Sequence, residues 1–273
     1  MKWQEQGISQ AMPSRMQAFF KGKAYAPHRH DTYTIGMTLS GVQSFDYRGC
    51  ERHSRPGGLF ILHPDELHDG RAGTEDGFGY RSINIEPGAI QSVLKGKPLP
   101  FIKGGLSADL ELQSIVASLL NDIDTPLEAL KFENALFELA TRLDVLAGHQ
   151  DTVSTHDLNA VERARDYLET HWDDAVSMDD LERETGHSRW SLSRNFRALL
   201  GTSPYRYLIL RRLDRARALI ASGHDLADTA YACCFADQSH LTRQFKRAFG
   251  LTPRAWQKIA NQSAIHPACT IVQ

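Results

Sequence analysis

Ser188 to Pro204 reads S-R-W-S-L-S-R-N-F-R-A-L-L-G-T-S-P, and Asp237 to Pro253 reads D-Q-S-H-L-T-R-Q-F-K-R-A-F-G-L-T-P. The two stretches match in one register 49 residues apart: Leu192 falls over Leu241, Arg194 over Arg243, Phe196 over Phe245, Gly201 over Gly250 and Pro204 over Pro253. A self-match of this kind marks a repeated structural unit. In the first copy Leu192, Phe196 and Leu199 stand at helical i, i+4, i+7 spacing and must point inward, which leaves Arg189, Trp190, Ser193, Arg194 and Arg197 outward. In the second, Leu241, Phe245 and Phe249 point inward, while Gln238, Ser239, Thr242, Arg243 and Lys246 point out beside His240. Each copy follows a shorter helix. Ser177 is the expected cap of the first such helix and Gly186 its end; Asp225 and Asp237 cap the two helices of the second unit.

A short helix, a turn and a second helix with an outward row of polar side chains is what a helix-turn-helix presents to the DNA major groove. The chemistry suits that groove. Arginine can donate a pair of hydrogen bonds to guanine O6 and N7, glutamine pairs similarly with adenine, and Ser, Thr or the Trp ring can meet base edges or thymine methyls. Between the copies, Pro204 to about Ser222 predicts one helix, started by Ser203-Pro204 and ended by Gly223. At about 1.5 Å per residue it is long enough to hold two readers on one side of a duplex. Its Arg211, Arg212, Arg215 and Arg217 read as a solvated face, some of it touching phosphate.

Charge supports the same end of the chain. The protein has 273 residues and a formal net charge of −2, but from Ser188 onward there are 13 Lys+Arg against 4 Asp+Glu, so the preceding 187 residues are acidic. A basic segment calls for an anionic partner. No apolar run approaches the roughly 20 residues of a membrane span, and the N-terminus lacks a secretion-signal pattern, so a cytoplasmic protein with no membrane partner is expected. The four cysteines have no zinc spacing; Cys233 and Cys234 read as buried helix filler.

Residues 1 to about 87 read as β structure, with runs such as T-I-G-M-T-L and L-F-I-L-H closely punctuated by Gly, Pro and Asp. Gly22, His28, His30, Gly41, Gly58, Pro64 and His68 are spaced like the two motifs of a cupin, a small β-barrel. Metal-binding cupins add a Glu to their three histidines, and Thr34 stands at that place here. The expectation is therefore a ligand pocket without metal or cofactor, in which His28, His30, Tyr33, Tyr47, His68 and Arg81 meet a small molecule, with Tyr25, Phe45 and Tyr80 as further candidates. Three imidazoles could still hold zinc, nickel or iron, with His63 or Glu66 as substitutes unless His63 faces outward.

From Ser107 to Gly148 two amphipathic helices are expected, with stripes Leu112, Ile115, Val116, Leu119, Ile123 and Phe132, Leu136, Leu139, Leu143, Leu146; these read as a dimer interface rather than as packing on the barrel alone. Polar residues 149–156 read as a linker.

Residues 157–259 resemble the DNA-binding domain of the AraC/XylS family of bacterial transcription regulators, most specifically in A-D-Q-S-H-L-T-R-Q-F-K-R-A-F-G-L-T-P. The cupin-like part with two helices resembles the ligand-binding and dimerisation domain of the arabinose-type subgroup. The resemblance implies a two-domain α+β protein: a cupin-like β-barrel with two dimerisation helices (1–148), a linker (149–156), an all-α domain (157–260) with helix-turn-helix motifs at about 177–200 and 225–249 joined by a long helix, and a tail (261–273). It places Trp190, Ser193, Arg194, Gln238, Ser239, Thr242 and Arg243 at base-facing positions. It also implies a homodimeric regulator of double-stranded DNA, not an enzyme, controlled by a small-molecule effector and, as an activator, touching RNA polymerase. Residues 1 to about 20 would then be an arm over the ligand. A metal- or redox-sensing regulator and a metal-dependent cupin enzyme with a DNA-binding appendage are the alternatives. Three positions depart from the family pattern: Cys234 where glycine is usual, Glu182 where alanine is, and Thr229 where Ile or Leu is.

Overall fold

The computed structural model describes residues 13–148 and 156–258. The linker expected at 149–156 and the tail thus fall almost wholly outside the described residues.

The N-terminal part is two sheets. One has the order β1 (Arg15–Phe20), β8 (Phe78–Ile85), β3 (Tyr33–Gly41), β6 (Leu59–Leu62) and β9 (Leu106–Ser107); the other has β2 (Lys23–His28), β7 (His68–Ala72), β4 (Gln43–Tyr47) and β5 (Cys50–Ser54). The expected barrel is not closed, because the strands divide between two sheets facing each other. The period of two along each strand explains the packing. Phe20, Phe60, Phe78 and Tyr80 point between the sheets to meet Phe45 and Tyr47, whereas Tyr33, Ile35, Leu59, Ile61, Ile83 and Ile85 point the other way.

That second face is covered by α1 (Pro87–Leu94), α2 (Leu110–Leu120) and α3 (Ala129–Leu146). Leu112, Ile115, Val116 and Leu119 of α2, and Leu136, Leu139 and Leu143 of α3, are buried against it and each other. Most of both stripes is therefore consumed within the chain, which corrects their reading as a dimer surface, because the sheet face is wide enough to bury them; only their last residues differ, Ile123 half-buried and Leu146 exposed. The exposed large apolar residues on α3 are Leu130, Phe137, Val145 and Leu146. Arg15 donates to the Leu119 and Asp122 carbonyls (3.0 and 2.8 Å), so the later part of the expected N-terminal arm is a full edge strand tied to the end of α2; residues 1–12 lie outside the described residues.

The C-terminal part is helical: α4 (Leu158–Thr170), α5 (Met178–Thr185), α6 (Arg189–Leu200), α7 (Pro204–Ala221), α8 (Leu226–Ala232) and α9 (Gln238–Phe249). Ser177 and Asp180 form a reciprocal capping box on α5, and Ser188, Ser203, Asp225 and Asp237 cap the next four helices. Two cores result. Leu192, Phe196 and Leu199 of α6 pack with α4, α5 and the start of α7; Leu241 and Phe245 of α9 pack with α8 and Leu210, Leu213, Ala216 and Ile220 of α7. Helix α7 belongs to both, so it holds the two units in one fixed relation.

Of the four arginines of α7 expected to form a solvated face, only Arg215 stays exposed, and the other three are half-buried. Arg211 pairs with Asp31, Arg212 donates to the Trp172 and Asp174 carbonyls (2.7 and 2.8 Å), Arg215 lies 4.1 Å over the Trp172 ring, and Arg217 lies over Phe249 and Trp256.

Candidate functional site

Helices α6 and α9 are the second helices of their units, and their first turns are open to solvent. Trp190 is 77% exposed. Arg194, Gln238, Ser239 and Arg243 are exposed and Ser193 and Thr242 half-buried beside them, so the predicted base-facing residues form two matched rows. Two of the predicted contacts are otherwise engaged, and a third lies apart. Glu182 accepts the Arg189 backbone N–H (2.5 Å) and its guanidinium (3.0 Å), which also reaches Asp179. His240 packs its ring 5.4 Å from Phe235, and its Nδ1 accepts the Ala236 N–H at 3.4 Å. Arg197 lies farther along α6 and lines a crevice facing the N-terminal domain.

That domain grips both units at equivalent points. Gly201 and Gly250, aligned in the repeat, close α6 and α9 in the left-handed region, at φ 74° and 69°. A Cβ at Gly201 would lie 2.6 Å from Pro64 Cβ; one at Gly250 would lie 3.1 Å from the Ala26 carbonyl oxygen and 3.2 Å from His28 Nδ1. Backbone hydrogen bonds flank both points, from Leu99 N–H to the Ala198 carbonyl and from Arg29 N–H to the Arg247 carbonyl, each 3.0 Å. Between them Asp31 pairs with Arg211, and Asp65 with Arg206 (3.6 Å) and the Thr202 hydroxyl (3.3 Å). Burial works against the charge of Arg211, but Asp31 and Asp214 outweigh it and hold the guanidinium firmly protonated. Sequence reading missed this interface, because partners such as Asp31 and Arg211 are far apart in the chain and carry no shared spacing.

The expected ligand residues separate into three places. His28, His30 and His68 come together, with ring centroids 4.4 to 5.9 Å apart. Burial pushes all three below the ordinary imidazole range, His30 to about 4. Tyr25 and Tyr80, joined hydroxyl to hydroxyl at 2.9 Å, lie beside His28 between the sheets; burial raises the Tyr25 phenol to about 12. Tyr33 and Tyr47 belong elsewhere, around His63. The Tyr47 hydroxyl meets His63 Nδ1 at 2.6 Å, and His63 Nε2 accepts the Ile102 N–H at 2.9 Å. His63 is thus buried, not outward, and with both nitrogens engaged it is no substitute metal ligand. Tyr33, His63, Glu66 and Phe101 line, with Arg197, the crevice of about 240 Å³ between the domains. Arg81 reaches neither group: it is on the helix-facing side of β8 and donates to the Leu120 and Asn121 carbonyls (3.0 and 2.8 Å), ending α2.

A family profile of an AraC-like ligand binding domain matches residues 15–140, and one of a helix-turn-helix domain matches residues 181–259. The HTH-type transcriptional regulator YbfI of Bacillus subtilis is 30% identical over 238 residues, covering 81% of this chain and 84% of its own. The chain belongs to the AraC family of transcription regulators. It is a DNA-binding regulator carrying a ligand-binding domain. Over 89 residues it is 36% identical to the HTH-type transcriptional activator RhaS of Escherichia coli, 32% of either chain. The structure of ToxT from Vibrio cholerae superposes with a TM-score of 0.63 at 12% identity, covering 92% of this chain and 97% of that one, so the two share the AraC-type two-domain fold.

The three departures from the AraC family pattern have physical consequences. Cys234 takes φ 58°, the left-handed conformation that explains glycine there, and its thiol donates to the Asp173 carbonyl at 3.2 Å. It is exposed, so only Cys233 is buried filler. Thr229 is buried and returns its hydroxyl to the Asp225 carbonyl (2.7 Å), which lets a polar side chain occupy an apolar position. Glu182 holds Arg189 as described. No helix among the described residues is long and apolar enough to cross a membrane.

Proposed function

We propose that the chain is a dimeric, effector-controlled activator in which the N-terminal domain acts on DNA binding by gripping both reading helices. The observation that carries this reading is the pair of contacts at Gly201 and Gly250: one domain touches the same point of both readers, so any ligand that moves it changes how the two helices are presented together. The base-facing residues are Trp190, Ser193, Arg194, Gln238, Ser239, Thr242 and Arg243. Arg194 and Arg243 are matched, but Trp190 stands where the second row has Ser239 and Arg189, held by Glu182, where it has Gln238, so the rows differ chemically and each subunit reads two unlike half-sequences.

The effector belongs in the crevice lined by Tyr33, His63, Glu66, Phe101 and Arg197, where aromatic walls with one carboxylate and one guanidinium suit a small, largely apolar organic molecule with polar ends. Its floor includes Gly201, so occupancy bears directly on the end of α6. The likeness to RhaS, a transcriptional activator, supports activation, and an activator would in turn touch RNA polymerase. Dimerisation uses the exposed face of α3, where Leu130, Phe137 and Val145 rise at helical spacing.

The test is selection of binding sites from random duplexes with the full chain, followed by Arg194→Ala and Arg243→Ala. Each should cost about 1–3 kcal/mol and relax preference at its own few base pairs. Undiminished preference in both variants would overturn the assignment.

A further inference from the structure

The imidazoles of His28, His30 and His68 are locked in one tautomer. Each Nδ1 faces a backbone carbonyl: His28 that of Ala26 at 2.8 Å, His30 that of Thr32 at 2.9 Å and His68 that of Glu66 at 2.9 Å. A carbonyl only accepts, so in every ring Nδ1 carries the proton and Nε2 is left with a bare lone pair. One ring nitrogen from each histidine lies within 4.8 Å of the other two, and with Nδ1 committed to a carbonyl, Nε2 is the atom each ring has free for a ligand. Thr34 gives no relief. Its hydroxyl donates to Asn84 Oδ1 at 2.6 Å, so toward His30 Nε2, 3.2 Å away, it presents another lone pair. Converging lone pairs with no donor between them repel, and a cation resolves the conflict. Imidazoles whose far nitrogen is held by a carbonyl are also the usual arrangement around a bound metal.

We infer that His28, His30 and His68 bind one divalent ion of the zinc class through their Nε2 atoms, and that this ion stiffens the strand end on which the second reading helix docks. Three neutral nitrogens and no carboxylate favour zinc, cobalt or nickel over magnesium or calcium, which want oxygen ligands. Three protein ligands leave a coordination position for water or an oxygen donor. The link to α9 is short. His28 ends β2, its Nδ1 lies 3.2 Å from where a Cβ of Gly250 would stand, and the next residue, Arg29, donates its N–H to the Arg247 carbonyl. His30 then leads to Asp31, which holds Arg211. A metal joining His28 and His30 on this segment to His68 on β7 therefore ties down the contact points of α9 and α7 together. Metal binding goes beyond the regulator reading and does not depend on it.

The experiment uses the tag-free full chain, stripped with a chelator and titrated with zinc and cobalt. One ion per chain is expected by calorimetry and elemental analysis, with the visible absorption of nitrogen-coordinated cobalt. His68→Ala and His28→Gln should each weaken binding more than about 100-fold, whereas His63→Gln should leave it unchanged. Failure of the wild-type chain to take up a stoichiometric ion, or full retention of it by His68→Ala, would overturn the site, and neither result depends on a variant folding poorly. Hydrogen exchange of the wild-type chain reads the coupling: zinc should slow exchange at residues 26–31 and 246–250. Unchanged exchange at 246–250 with zinc bound would refute the docking role while leaving the DNA reading intact.

Discussion

Arg211, on the helix shared by both DNA-reading units, forms an ion pair with Asp31 of the ligand-binding domain, and both side chains are largely buried. Removing one partner leaves a charge in a poorly solvated place, which costs more than the pair contributes in net terms. Asp31→Asn should therefore loosen the docked arrangement by about 2–3 kcal/mol. Hydrogen exchange at α7 and at residues 28–31 checks this, and a double substitution with Arg211→Gln should recover part of the loss. An additive double variant would mean that the pair does not hold the domains.

Glu182 should act as a brake on Arg189. In Glu182→Ala the guanidinium keeps only Asp179 as a carboxylate partner, and Arg189 becomes available to phosphate. The salt dependence of binding to non-specific duplex should steepen by about 0.9 in slope for one added phosphate contact. Titration at several salt concentrations measures it; an unchanged slope would show that Arg189 does not reach DNA.

Cys234→Gly should stabilise the protein by about 0.5–1 kcal/mol, since a side chain at φ 58° is strained and glycine is not. The lost thiol contact to Asp173 and the freer unfolded chain subtract from the gain. Urea unfolding gives the sign directly, and a destabilised variant would mean that the thiol contact outweighs the strain.

Much of the helical half was legible because its repeat is written in residues with one physical task each: Leu192 and Leu241 inward, Gly201 and Gly250 as left-handed caps. The N-terminal half was less so. Helix α1 is short, has no side-chain cap and buries only Ile90 and Leu94 among its large apolar residues, too little for a periodic signal. The α2 and α3 stripes were visible, but a stripe does not name its partner, and the sheet claimed both. Likewise His28, His30 and His68 were found by spacing, whereas the separation of Tyr33, Tyr47 and Arg81 from them depends on which face of a strand each occupies.

Asp109 gives the α2–α3 pair a dependence on pH. It accepts the Leu112 N–H (2.8 Å) as the cap of α2 and is bridged by Arg142 of α3, and these hydrogen bonds, the arginine's first, hold its carboxyl down to about 2. A depressed folded value means that its stabilisation is fully present above the unfolded value near 4 and fades as pH falls from about 4 toward 2. Asp109→Asn should be less stable than wild type at neutral pH and should lose less further stability across that window. Urea midpoints measured from pH 5 to pH 2 decide it; parallel curves would mean that Asp109 is not the titrating group.

The face of α3 that remains outside the core makes the last prediction. Leu130, Phe137 and Val145 are exposed while Leu136, Leu139 and Leu143 two steps around the helix are buried, so the two sets can be changed independently. Phe137→Glu introduces a charge into an apolar contact between subunits but leaves the internal packing of α2 and α3 untouched. Sedimentation should show the wild-type chain as a dimer and Phe137→Glu as a monomer at the same concentration, with thermal unfolding little changed beyond the loss of subunit association. A variant that stays dimeric would place the interface elsewhere. A variant that becomes monomeric yet binds a single half-site as before would show that dimerisation sets the spacing of sites, not the reading of bases.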